Sequence, residues 1–103
     1  MSTKNREAMD FLEQLTGGPL TFGEALVAVR DREGVTQAEL ARMAGVTRST
    51  ICDLEKGRTF PSPELAAKNA RLSNHDEAQF VRLAFQDQVR KAGLRLRVSV
   101  EAA

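Results

Sequence analysis

Between Gln37 and Arg58 the sequence concentrates side chains that donate and accept hydrogen bonds: Gln37, Thr47, Arg48, Ser49, Asp53, Lys56 and Arg58. A guanidinium presents a planar fork of donors, an ammonium a point charge, and hydroxyls and carboxylates supply acceptors. This is the chemistry of reversible recognition. Bond-making chemistry has no comparable constellation. Cys52 is the sole cysteine, which precludes an intramolecular disulfide or a cysteine-rich zinc site, and it reads as an inert small residue. His75 has no second ligand nearby, so no metal is expected. Serine, histidine and aspartate all occur, but without a nucleophile elbow or an ordered triad signature. No enzyme activity and no cofactor are expected.

Such a face works only when stiff elements hold it. Thr36 and Glu39 form a capping box that opens a short helix from Gln37 to Ala44, with Leu40, Ala41 and Ala44 inward. Gly45 follows, where left-handed backbone is costly for other residues. Thr47 then caps a helix running to about Lys56, anchored from beneath by Ile51 and Leu54 and closed by Gly57. Those anchors leave Arg48, Ser49, Cys52, Asp53 and Lys56 facing other directions. Upstream, Thr21 and Glu24 make another capping box for a helix that buries Phe22, Leu26 and Val29 and stops at Gly34. Before it, Met1 to Leu15 can form a helix with Ala8, Phe11, Leu12 and Leu15 on one stripe, halted by Gly17-Gly18-Pro19. Downstream, Ser62 and Pro63 read as N-cap and first position of a helix with Leu65, Ala66 and Leu72 inward. A longer helix is expected from near Asn74 to Gly93, with Ala78, Val81, Ala84, Phe85 and Val89 as its stripe and Phe80 and Leu83 flanking it.

The stretch TQAELARMAGVTRSTICDLEKGR, Thr36 to Arg58, resembles the Cro/repressor-type (XRE) helix-turn-helix family. With the preceding helix, the resemblance covers roughly half the chain. It implies a lambda-repressor-like helix-turn-helix bundle in which the second short helix is held rigidly across the first and reaches base edges. By position, Gln37 contacts a phosphate, Thr47, Arg48, Ser49 and Asp53 face the major groove, and Lys56 and Arg58 hold the backbone. Arg48 suits guanine O6 and N7 or, equally, a phosphate, while Thr47 and Ser49 suit bases or phosphates. Asp53 suits cytosine N4, although an acid near phosphates is unfavourable unless paired, and a partner within its own helix or interface is the readier assignment. Cys52 stands where many relatives carry a polar residue, so any contact it makes is apolar, such as a thymine methyl. Arg30 and Glu55 occupy positions that pair in related proteins and take a structural role, with Ala41, Gly45, Ile51 and Leu54. The plainer alternative is a helical hairpin that only packs or binds protein; the outward donors weigh against it.

Beyond Gly93 the period changes. Leu94, Leu96, Val98 and Val100 alternate with Arg95, Arg97, Ser99 and Glu101, the repeat of a strand. A lone strand leaves backbone groups unpaired and cannot bury its apolar row. The expected partner is the same strand of a second chain, antiparallel about a two-fold axis, with residues 94 to 100 and the helix before them as the dimer interface.

The 103 residues suit one ordinary domain, and 28% charged with 42% hydrophobic residues is a globular composition. The net charge of +1 gives no bulk attraction to nucleic acid, so a binding face must come from local placement. Arg82, Arg90, Lys91, Arg95 and Arg97 do outnumber Asp87 and Glu101 near the C-terminus. No apolar run approaches a membrane span and the polar N-terminus does not resemble a signal peptide, so a cytoplasmic setting is the default. The expected architecture is all-α with an N-terminal arm (1–18), a helix-turn-helix domain (19–72), and a dimerising helix plus short β-strand (73–103). The expected function is a homodimeric, sequence-specific regulator of double-stranded DNA, a repressor occupying a palindromic operator. The alternatives are an antitoxin that also grips a toxin protein through 1–18 or the C-terminal strand, and a pure protein-interaction module.

Overall fold

A computed structural model describes residues 20 to 103, which form the helices α1 (Phe22–Glu33), α2 (Gln37–Ala44), α3 (Arg48–Glu55), α4 (Pro63–Leu72) and α5 (Glu77–Lys91). The amphipathic helix expected over residues 1–15 lies outside the described residues. Side chains start every helix. Thr21 and Thr36 each accept from the third helical N–H while Glu24 and Glu39 reach back to the cap, completing both capping boxes. The Thr36 N–H, bonded to Glu39, is the main cause holding that carboxyl below the usual range. Thr47, Ser62 and Asp76 cap α3, α4 and α5, with Pro63 in the first turn of α4. Gly34 and Gly45 end α1 and α2 at φ 69° and 73°, in the left-handed region that glycine adopts without a Cβ penalty.

α4 lies against α5, α2 against α3 and α4, and α1 bridges α3 and α5. Phe22, Leu26, Ile51, Phe80 and Leu83 are fully buried at the centre. The rings of Phe22 and Phe80 meet edge to face, 5.8 Å apart at 80°, the arrangement that sets a positive ring edge against a negative ring face. Small residues at Ala41, Ala44, Ala66 and Ala70 are all buried and let the helices approach.

The buried face of α5 is rotated from the expected stripe. Phe80, Leu83 and Ala84 enter the core, Ala78, Val81 and Val89 are half-buried, and Phe85 points outward at 39% exposure. The true stripe continues at helical spacing to Asp87, and that carboxylate disguises it. Its Oδ2 accepts the Phe22 N–H at 2.9 Å, satisfying a first-turn donor of α1 from a distant helix. Burial pushes the Asp87 carboxyl up, against the Phe22 N–H and Arg90, which favour the charged form, and with a further push from Glu24. Arg90 stands 3.7 Å from Oδ1, within ion-pair range but too far for a hydrogen bond.

α5 also starts later than expected, at Glu77 rather than near Asn74. Asn74 is left-handed at φ 57°, and the His75 N–H closes back on Ala70 O at 2.7 Å, so these residues terminate α4. Leu72, expected inward, lies off the buried Ala66, Asn69 and Ala70 face of α4 and is 38% exposed.

The expected C-terminal strand is absent: the described residues contain no β-strand. Gly93 takes φ 79° and the chain turns back toward α5, where the Gln86 carboxamide donates to Leu96 O and accepts from Val98 N, each at 2.8 Å. A ladder needs a second backbone, and among the described residues a side-chain amide stands in for it. Leu94 and Leu96 remain 51% and 62% exposed, while Val98 and Val100 are half-buried.

Candidate nucleic-acid interface

α2 and α3 are joined by the short turn Gly45-Val46-Thr47. The Gly45 and Val46 N–H groups both return to α2, to Arg42 O and Ala41 O, so the turn is closed by backbone bonds. Val46 packs against the core from above. Beneath α3, Ile51 and Leu54 are buried to 0% and 2% exposure. Two anchors at i and i+3 fix the helix's rotation and so decide which side chains face out.

A polar brace fixes the far end of α3. Arg30 of α1 donates to both Glu55 oxygens, at 2.8 Å through Nε and 3.3 Å through Nη2. Its Nη1 donates to Val35 O in the loop before α2. Gln37, the first residue of α2, donates from Nε2 to Glu55 Oε1 at 2.8 Å. One carboxylate thus ties together the end of α1, the start of α2 and the end of α3. The Glu55 side chain is 6% exposed and Arg30 20%, so the pair is screened weakly by water. Its hydrogen bonds to Glu55 raise the Arg30 pKa further, against a smaller opposing effect of burial.

The outward face holds Thr47, Arg48, Ser49, Lys56 and Arg58, all exposed, with Cys52 and Asp53 half-buried. Arg48 and Ser49 stand in the first turn of α3, beside the cap. Thr47 Oγ1 accepts the Thr50 N–H and shares a hydrogen with Thr50 Oγ1 at 2.9 Å. Asp53 pairs with Arg58 at 3.3 Å, so the acid on this face is partly neutralised by the chain's own cation. A shallow open depression beside Arg48 is lined by Arg30, Val35, Thr36 and Gln37, around the N-terminus of α2. Among the described residues no group of three or more histidine, cysteine, aspartate or glutamate side chains gathers for a metal. None of their helices is long and apolar enough to cross a membrane.

A model of the helix-turn-helix domain matches residues 21–83, from the α1 cap into α5. The chain belongs to the helix-turn-helix domain family. Relatives named as uncharacterized HTH-type transcriptional regulators share the motif. One from Archaeoglobus fulgidus is 53% identical over 45 residues, covering 44% of this chain and 64% of that protein. Another, from Methanothermobacter thermautotrophicus, is 43% identical over 58 residues, covering 56% of this chain and 84% of that protein. A second Archaeoglobus fulgidus protein is 51% identical over 45 residues, covering 44% of this chain and 63% of that protein, so the match spans just under two thirds of both Archaeoglobus proteins.

Two residues that hold α1 in place carry no distinctive chemical signature in the sequence. Gly23 in α1 lies against the end of α3: a Cβ there would stand 2.5 Å from the carbonyl oxygens of both Leu54 and Glu55. The available signal was a glycine inside a helix, which costs stability unless another backbone comes close. Asp87 is the other, a lone acid at core spacing.

Proposed function

We propose that the chain is a sequence-specific regulator of transcription that binds double-stranded DNA, acting as a homodimeric repressor of a palindromic operator. The observation that carries this reading is the first turn of α3. Arg48 and Ser49 stand exposed there beside the Thr47 cap, on a helix fixed beneath by Ile51 and Leu54 and at its end by Glu55. In the major groove Arg48 would take the guanine O6 and N7 edge, with Thr47 and Ser49 on neighbouring bases or phosphates. Lys56 and Arg58 would grip phosphates on the far side, and the Asp53–Arg58 pair would lessen repulsion from the acid. The depression beside Arg48 suits a phosphate, because that guanidinium and the N-terminus of α2 favour negative charge.

Dimerisation through Leu94, Leu96, Val98 and Val100 would place two α3 helices on one face of the duplex, about 34 Å apart. Selection of bound sites from random duplex DNA tests binding, symmetry and spacing together. The expected product is a palindrome whose half-sites lie one helical turn apart. Recovery of random sequences at low salt, with no enrichment, would refute specific recognition. Affinity for the selected site should fall steeply as salt rises, through release of condensed counterions.

A further inference from the structure

We infer that residues 95 to 101 form an antiparallel two-stranded ribbon with the same residues of a second copy, in the register that places Val98 opposite Val98. The inference rests on the dimeric reading above and names its contact surface. The Gln86 carboxamide bonds to Leu96 O and Val98 N, on either side of Arg97, much as a residue of a neighbouring strand would. One edge of the tail is therefore already occupied. In extended chain successive residues turn their backbone groups to opposite edges, so those of Arg95, Arg97 and Ser99 face away from Gln86. Among the described residues nothing bonds to them. This free edge belongs to a segment whose Leu94 and Leu96 are among the most exposed large apolar side chains described.

A second copy fits that edge by charge. Two identical edges can pair antiparallel only with odd-numbered residues opposite odd-numbered ones, which leaves few registers. Centring on Arg97 sets Arg97 against Arg97, a like-charge pair that opposes association. Centring on Ser99 pairs Arg97 with Glu101 but leaves Leu96 opposite Ala102. Centring on Val98 sets Arg95 against Glu101 on both sides of the axis, Leu96 against Val100, and Val98 against itself. It alone of the three joins both ionic complementarity and a continuous apolar row. The odd pairs Arg95–Glu101 and Arg97–Ser99 then exchange backbone bonds along the free edge, as the geometry requires.

Sedimentation of the full chain at micromolar concentration should give a dimer. Arg95→Glu or Glu101→Arg alone, each creating like-charge pairs on both sides of the axis, should weaken it about tenfold. The double variant should restore it. In a Cys52→Ser background, Val98→Cys should cross-link spontaneously under oxidising conditions, since residues facing across a non-hydrogen-bonded pair lie about 4.5 Å apart, within disulfide reach. Ser99→Cys should not. A monomeric full chain overturns the inference, as does rescue of Glu101→Arg by Arg97→Glu instead of Arg95→Glu, or cross-linking at 99 in place of 98. A dimer that binds no DNA would refute the regulatory reading and leave this pairing intact. A monomer that still binds a half-site would do the reverse.

Discussion

Replacing Gly23 by alanine sets two effects of opposite sign against each other. In an unobstructed helix the change stabilises by about 0.5–1 kcal/mol, because alanine loses less backbone entropy on folding. At Gly23 the added Cβ would sit 2.5 Å from Leu54 O and from Glu55 O, and 2.9 Å from Glu55 C. These obstacles are backbone atoms, so no rotamer change relieves them and α1 must move off the end of α3. Overpacking of this kind costs about 1–3 kcal/mol, and contact with two carbonyls at once places it near the upper end. The net expectation is a loss of about 2 kcal/mol, or a melting temperature lower by roughly 8–16 °C for a domain of this size. Urea titration of Gly23→Ala beside Ala28→Gly, a half-buried position on the same helix, separates the terms, since the second variant reports propensity with little steric content. A Gly23→Ala chain as stable as wild type or more so would refute the close approach and the packing of α1 on α3 inferred from it.

Arg30→Ala strands Glu55, which is 6% exposed, with only Gln37 as a partner. Because Arg30 itself is one-fifth exposed, the expected loss is about 2–3 kcal/mol, below the full cost of orphaning a buried charge, and an unchanged urea midpoint would contradict it. Asp87 has a carboxyl raised above the ordinary aspartate value of 3.8, so its proton favours the folded state. The stability it adds is complete below that value and is lost as pH rises through the raised one; Asp87→Asn should abolish this slope in urea midpoints measured from below pH 3.8 upward. Asp87→Ala should instead cost about 1 kcal/mol by releasing the Phe22 N–H. On DNA, Arg48→Ala should cost about 1–3 kcal/mol on the selected site and little on random duplex, whereas Lys56→Ala should weaken both alike and flatten the salt slope by about one; fluorescence anisotropy across salt concentrations measures each.

Local chemistry carried much of the fold. Thr21-x-x-Glu24, Thr36-x-x-Glu39 and Ser62-Pro63 announce helix starts because a cap needs only neighbours in sequence, and all three form. The α2–Gly45–α3 unit was legible for the same reason: its anchors, turn and cap lie within a short stretch where spacing alone sets the facing. Contacts between distant elements left weaker traces. The rotation of α5 was obscured because Asp87, a polar residue on the buried side, serves the Phe22 N–H of α1, and no periodicity can announce a partner in another helix. Gly23 likewise acquires meaning only when the carbonyls of α3 arrive beside it.

The C-terminal tail marks the same boundary. Alternation from Leu94 to Glu101 expresses a strand's side-chain period, which is a property of the chain alone. A strand, however, is a relation between two backbones, and among the described residues the partner of this tail is the carboxamide of Gln86. Sequence thus set out the helix ends, which residues of α3 face outward and the tail's alternating pattern, all governed by neighbours within a turn or two. Packing settled which face of α5 is buried, what orients α3, and which edge of the tail Gln86 occupies, because each depends on groups that only folding brings together.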